Sequence, residues 1–130
     1  MAIPKWLRAK KISAKFRMGQ QEWQPVVIVL DKSGGSYSTP TGNEEGIFNY
    51  ITHGAHPEGG DVVILYWQEK HGPLKGHTGI DTLWFQQRDR NIEVRGTFFL
   101  DDGSDYGEIS SVNSSLHLRR KLSESVSLKK

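Results

Sequence analysis

The sequence predicts an α+β domain in which a mostly antiparallel sheet of about five to seven strands carries one short packed helix. Fourteen glycines and five prolines indicate many turns, which is typical of a strand-rich chain. Within Gly79–Leu100, the strand-like runs Ile80–Gln87 and Ile92–Leu100 flank a short polar segment, as in an antiparallel hairpin. In the segment after Asn43, by contrast, the apolar residues recur at the spacing of a helix. We expect the hairpin to lie in the middle of the sheet.

The chain length of 130 residues is the usual size of one domain. We divide it into a basic N-terminal arm, residues 1–10, and a single globular α+β domain, residues 11–130. No apolar run approaches the roughly twenty residues that span a bilayer, and no apolar segment of signal-peptide length follows the basic start. These features predict an intracellular protein, cytoplasmic or nuclear, without a transmembrane segment. The absence of cysteine excludes disulfides and thiolate metal sites.

The first strands are predicted from alternation and turn residues. Apolar and charged residues alternate from Lys11 to Met18, which is a strand pattern with its charges on one face. Trp23–Leu30 forms the next strand, where Pro25 favours an edge or the beginning of the strand. Asp31–Gly42 is rich in Ser, Gly, Thr and Pro, so we predict a loop.

A single helix is predicted between Asn43 and His53. Asn43 is a suitable N-cap, and Glu44 and Glu45 follow in the first turn, where the helix dipole favours acids. Gly54 is a natural stop. The helix would pack on the sheet through an apolar stripe, which consists of Ile47, Phe48, Tyr50 and Ile51.

The rest of the chain alternates between strands and turns. Asp61–Gln68 is a buried strand of high β propensity, and His71–Gly79 is a second glycine-rich loop before the hairpin. Asp101–Gly107 is an acidic turn, and Glu108–Leu118 has strand-like alternation.

The charge of the chain is unevenly distributed, although its net value is only +2. Residues 1–18 carry six cations and no acid, and a second basic group lies near the C-terminus. Cations neutralise phosphates, and an interleaved tryptophan can stack on a base. The predicted nucleic-acid-binding residues are Lys5, Trp6, Arg8, Lys10, Lys11, Lys15, Arg17, Arg119 and Arg120.

These residues predict a small non-enzymatic binding protein that engages nucleic acid, DNA or RNA, or another polyanion. Its size, lack of cysteine and dense aromatic residues are compatible with a viral or mobile-element accessory protein. The arm also fits peripheral contact with an anionic membrane surface. The alternative is a self-assembling homo-oligomer or protein-binding adaptor, in which the basic arm docks on an acidic patch of a neighbour. That patch consists of Asp101, Asp102, Asp105 and Glu108.

A second alternative comes from the central hairpin. Asp81 and, eleven positions further on, Ile92-Glu93-Val94-Arg95 resemble the metal-binding core of the PD-(D/E)xK nucleases. The resemblance implies that Asp81 and Glu93 hold a magnesium ion and that Glu44 or Glu45 supplies a third carboxylate. Arg95 stands where that family has its lysine, and an arginine does not deprotonate water.

Histidines offer a further candidate for a metal site. His53, His56, His71 and His77, with Asp61, carry the ligand types for zinc or nickel, but their spacing matches no standard pattern. We therefore predict no catalytic residue, no metal site and no cofactor.

Overall fold

Residues 1–111 are described by a computed structural model, and within them the chain forms a closed barrel of eight antiparallel strands. Each strand pairs with the next along the chain, and the first pairs with the last. A short 3₁₀ helix, Lys5–Leu7, precedes the barrel. The strands are β1 (Lys11–Met18), β2 (Gln24–Leu30), β3 (Gly34–Ser38), β4 (Glu45–Ala55), β5 (Asp61–His71), β6 (Thr78–Arg88), β7 (Asn91–Leu100) and β8 (Tyr106–Ser110).

The predicted α+β class with a packed helix is wrong, because the segment assigned to that helix is β4. Its side chains alternate across the barrel wall: Phe48 is buried inside, whereas Asn49 is exposed outside. A register shift between Tyr50 and Thr52 marks a bulge in its pairing with β5. Isoleucine, threonine and aromatic residues favour strands, and pairing with β3 and β5 decides the outcome. Within residues 1–111, no helix is long and apolar enough to cross a membrane.

The predicted count of about five to seven strands is also too low. The predicted loop Asp31–Gly42 contains β3, a five-residue strand that pairs with both β2 and β4. The predicted hairpin is confirmed as β6 and β7, which pair from Gly79–Leu100 to Arg88–Asn91. A closed barrel has no middle and no edge, so this hairpin is one pair among eight. The predicted strand Glu108–Leu118 overlaps β8, which ends at Ser110. Residues 112–118 of the predicted strand lie outside the described range.

One end of the barrel is closed by the N-terminal segment. The side chains of Ile3 and Leu7 are 0% exposed, and the amide of Ile3 donates to the carbonyl of Lys32 at 3.1 Å. The indole nitrogen of Trp6 donates to Oδ2 of Asp61, which begins β5, at 2.8 Å. These contacts fix the segment across the turns that join β2 to β3 and β4 to β5. We call this the closed end.

The half of the barrel next to the closed end is filled by aliphatic and aromatic side chains. Burying each such side chain stabilises the fold by about 1.5–3 kcal/mol. The tightly buried residues here are Ile12, Leu30, Val63, Leu65, Leu83, Phe85 and Val94. Free space inside the barrel therefore lies toward the opposite end, which we call the open end.

Candidate functional site

The open half of the barrel contains a cavity of about 760 Å³. Its mouth lies among the loops that join β1 to β2, β3 to β4, β5 to β6 and β7 to β8. Eight-stranded barrels are just wide enough to be filled by side chains or to hold one small ligand. The volume falls within the range of about 300–1,000 Å³ that is usual for ligand pockets. This cavity is the candidate functional site.

Three glycines make room for aromatic side chains at the open end. In each case an aromatic residue on one strand is directly opposite an inward-facing glycine on the next. The pairs are Tyr37 with Gly46, Trp67 with Gly79, and Phe98 with Gly107. A Cβ atom at any of these glycines would overlap or crowd the paired ring. The rings therefore lie over the neighbouring strand, and the centre of the barrel stays open.

The aromatic rings of the lining pack against one another in two groups. The ring centroids of Tyr37 and Phe48 are 5.2 Å apart, and those of Trp67 and Phe98 are 6.2 Å apart in an edge-to-face arrangement. Phe16 packs against Phe98 with centroids 6.5 Å apart. Such rings offer an apolar surface with electron-rich faces. The cavity wall thus suits a ligand with an apolar or cationic body.

Glu69, on β5, is the centre of a polar cluster at the cavity mouth. Its side chain is buried, and its Oε1 accepts a hydrogen bond from the hydroxyl of Tyr37 at 2.9 Å. Its Oε2 accepts from the amide of Leu74 at 2.6 Å. Because Leu74 belongs to the loop between β5 and β6, the carboxylate holds that loop over the mouth of the cavity.

Glu44 adds a second carboxyl group to this cluster. Burial, together with a hydrogen bond to Glu69 and the charge of Glu69, raises the pKa of Glu44 from 4.5 to about 8. The raised pKa favours the protonated form of Glu44, which can donate a hydrogen bond to Glu69. Burial, together with the Glu69 carboxylate, also raises the pKa of Tyr37 above its usual value.

Asp81, on β6, lies deeper in the barrel and is only 2% exposed. In the strand register it is opposite Leu65 and Phe98. Burial raises its pKa well above the ordinary value, and no hydrogen bond within the described residues offsets this burial. Two nitrogens of other lining residues, the indole nitrogen of Trp67 and Nε of Arg17, are buried without a hydrogen-bond partner within residues 1–111. Buried polar groups are normally paired, so these unpaired donors and the buried carboxyl of Asp81 mark polar positions on the cavity wall.

The cavity lining is acidic. The carboxyl groups among its described residues belong to Glu22, Glu44, Glu69, Asp81 and Asp105. Arg17 and His77 also line it, but both have acidic partners: Arg17 contacts Glu108 at 3.2 Å, and His77 lies 3.9 Å from Asp102.

The predicted nucleic-acid-binding residues are spread along the N-terminal segment and β1. Lys5, Lys10 and Lys11 are exposed, and Lys15 is half-buried on the outer face of β1. Arg17 is stacked 4.7 Å from the ring centroid of Trp23. Arg119 and Arg120 lie outside the described residues.

Two other residues of that predicted set have structural contacts at the closed end. The Nε of Arg8 donates to the carbonyl of Ile3 at 2.8 Å. The indole of Trp6 is half-buried and bonded to Asp61, as described above. Nucleic-acid binding by this set stays a prediction.

The structure does not bring the residues of the nuclease resemblance together. Asp81 points into the barrel, whereas Glu93 is on the outer face of β7, where it contacts Arg88 at 3.5 Å. In the register, Asp81 is opposite Phe98 and Glu93 is opposite Gln86. The two carboxylates therefore face opposite sides of the wall.

The candidate histidines are also separate from one another. His53 contacts the hydroxyl of Tyr50 through Nδ1 at 2.6 Å, and His56 stacks on Trp84 with centroids 3.7 Å apart. Across residues 1–111, no group of three or more His, Cys, Asp or Glu could hold a metal ion.

The sequence-based reasoning missed Tyr37, Trp67 and Glu69. The available signal was the alternation along Val63, Leu65, Trp67 and Glu69, in which a carboxylate continues a buried apolar face. An acid at such a position is costly to bury without partners, so it marks a polar site inside the fold.

Fold and cavity together define the class of this protein as a closed eight-stranded antiparallel barrel with an internal pocket. Comparison of the chain with protein-family models, curated proteins and solved structures finds no match.

Proposed function

We propose that the protein binds a small organic ligand inside the barrel, with the apolar part of the ligand against the aromatic rings and a polar group near Asp81 and Glu69. The observation that carries this proposal is the cavity of about 760 Å³ in a fold whose other half is tightly packed. Interiors are normally packed to the density of organic crystals. A void of this size, with strand glycines that keep it open, is therefore better explained by an occupant than by imperfect packing.

The unpaired polar groups support the same proposal. The indole N–H of Trp67 is buried without a partner within residues 1–111, and the carboxyl of Asp81 is buried in the lining of the same cavity. An unpaired buried polar group costs about 1–3 kcal/mol. A ligand that pairs with them recovers part of this cost on binding.

The test is binding of the neutral dye N-phenyl-1-naphthylamine, which fluoresces in apolar surroundings. We expect saturable binding to the wild type and a loss of affinity of about tenfold or more, about 1.4 kcal/mol, in Val26→Trp, because the larger side chain fills the cavity. The matched control is Val27→Trp, on the same strand but facing outward. Its affinity should equal that of the wild type. The proposal fails if the dye does not bind, or if both variants bind like the wild type while circular dichroism shows that they are folded.

We propose polyanion binding through the basic N-terminal segment and β1 as a second candidate function. The supporting observation is that Lys5, Lys10, Lys11 and Lys15 form no ion pair within residues 1–111. Their charges are thus available to phosphates. This surface is on the outside of the barrel, so the candidate is independent of the cavity.

The test is binding of labelled single-stranded and double-stranded DNA and RNA at two salt concentrations. We expect affinity to fall steeply with salt and to weaken in Lys11→Glu/Lys15→Glu, since each phosphate contact releases counterions. The control is Lys75→Glu, on the loop between β5 and β6. Absence of binding at low salt would remove this candidate. Salt-sensitive self-association without nucleic acid would favour the self-assembling alternative instead.

A further inference from the structure

We infer that the ligand of this cavity is an organic cation, an amine on a compact aromatic or aliphatic body, held between the carboxyl groups of Glu69 and Asp81 and the surrounding rings. This inference rests on the proposed function, and it names the chemical class of the ligand. The inference is drawn from the charges and the aromatic rings of the cavity lining, and the size of the cavity plays no part in it.

The first argument is the sign of the charge. Five carboxyl residues line the cavity in the described part of the chain, and the two cationic ones, Arg17 and His77, are near acidic partners. An anionic ligand would enter a poorly solvated space in which carboxyl groups outnumber cations among the described lining residues. A cationic ligand finds two carboxyl groups, Glu69 at the mouth and Asp81 in the interior.

The second argument is the arrangement of the rings. Trp67, Phe98, Tyr37 and Phe48 line the same space as these carboxyl groups. Aromatic faces attract cations, and the effect is larger when water is excluded. Aromatic residues around a carboxylate are the combination that recognises ammonium groups.

The third argument is the protonation of the carboxyl groups that line the cavity. Glu44 and Asp81 have raised pKa values because they are buried, so both favour the protonated form. A bound ammonium group would stabilise their ionised forms. Binding should therefore release protons, and amine affinity should rise with pH between about 5 and 8. The other titratable or charged groups that face this space are Tyr37, Glu69, Glu22, Asp105, His77 and Arg17.

The test uses three ligands with one naphthalene body and different end groups. They are 2-(1-naphthyl)ethylamine, 2-(1-naphthyl)ethanol and 1-naphthylacetic acid, and their binding is measured by isothermal titration calorimetry. We expect the amine to bind about tenfold or more tightly than the alcohol, and the acid to bind most weakly. Repeating the amine titration in buffers of different ionisation enthalpy should reveal proton release.

Variants identify the groups responsible for this preference. In Glu69→Gln and in Asp81→Asn the ratio of amine to alcohol affinity should fall severalfold, and the double variant should lose the preference. Glu45→Gln is the matched control, since Glu45 is an exposed acid next to Glu44. The ratio should be unchanged there.

Each contrary outcome has a distinct meaning. If the amine and the alcohol bind equally well, or the acid binds best, the cation inference is overturned while ligand binding in the barrel stands. If none of the three binds but N-phenyl-1-naphthylamine does, the inference is again overturned. If neither the three ligands nor the dye binds, the proposed function fails as well.

Discussion

Replacing Asp81 with asparagine is expected to stabilise the barrel at pH 8 and to reduce the dependence of its stability on pH. Burial raises the pKa of Asp81 well above 3.8. Between the unfolded and the folded pKa, the folded state holds a proton that the unfolded state has lost. The free energy of unfolding therefore falls as pH rises through this window. Each tenfold change in the acidity constant corresponds to about 1.4 kcal/mol.

Glu44 also makes the free energy of unfolding fall as pH rises. Its pKa rises from 4.5 to about 8, so its contribution is present at mildly acidic pH and lost as pH approaches 8. The wild type should thus be more stable at pH 5 than at pH 8. Asp102, whose pKa is lowered by hydrogen bonds from Ser104, acts in the opposite direction but only at pH near and below 3.8.

Urea unfolding between pH 5 and pH 8 measures this effect. Asp89→Asn is the control, because Asp89 is an exposed turn residue with a φ of 52°, a conformation that asparagine also tolerates. Its pH dependence should match that of the wild type. An equal pH dependence in Asp81→Asn and wild type would show that Asp81 is not the buried acid described above.

Replacing Gly79 with alanine is expected to cause a large loss of stability. A Cβ at this position would overlap the carbonyl oxygen of Phe99 and lie 2.6 Å from the ring of Trp67. Neither can move easily, because Phe99 pairs with β6 in the sheet ladder and Trp67 is packed against Phe98. Overpacking in a core costs about 1–3 kcal/mol, and a clash with backbone raises the cost to about 3 kcal/mol or more.

Gly54→Ala on β4 is the matched control. No atom lies within 4 Å of a Cβ built there, and Gly54 does not have a positive φ. Its free energy of unfolding should change by less than about 1 kcal/mol. Chemical denaturation of both variants provides the comparison. Similar stabilities for the two would contradict the close packing of Trp67 over Gly79.

The sequence carries clear local information about individual strands, but little about their closure into a barrel. The hairpin of β6 and β7 follows from alternation on either side of a polar turn, and β1 has its predicted bounds. The helix was predicted because Asn43, Glu44 and Glu45 imitate a helix start and Ile47, Phe48 and Tyr50 fit helical spacing. In β4 the same residues alternate across the wall, and pairing with two neighbouring strands outweighs local preference.

Predicting the candidate site requires even more knowledge of how the strands close into a barrel. Tyr37 lies in a predicted loop, and Glu69 follows the predicted end of a strand, so only the barrel brings them to 2.9 Å. The sequence pattern predicts Asp81 as a partner of Glu93, whereas the structure places it as an acid inside the cavity. Whether a side chain faces in or out depends on a register that long-range pairing determines.

The most direct test of ligand binding inside the barrel is the NMR signal of the tryptophan indole N–H groups during titration with 2-(1-naphthyl)ethylamine. The four tryptophans report on different places, and Trp67→Phe assigns the signal of Trp67. We expect the Trp67 signal to move, while Trp6, bonded to Asp61, and Trp84, bonded to the carbonyl of Gly59, stay in place. A titration that shifts the signals of Trp6 or Trp84 and leaves that of Trp67 unchanged would contradict binding in the cavity.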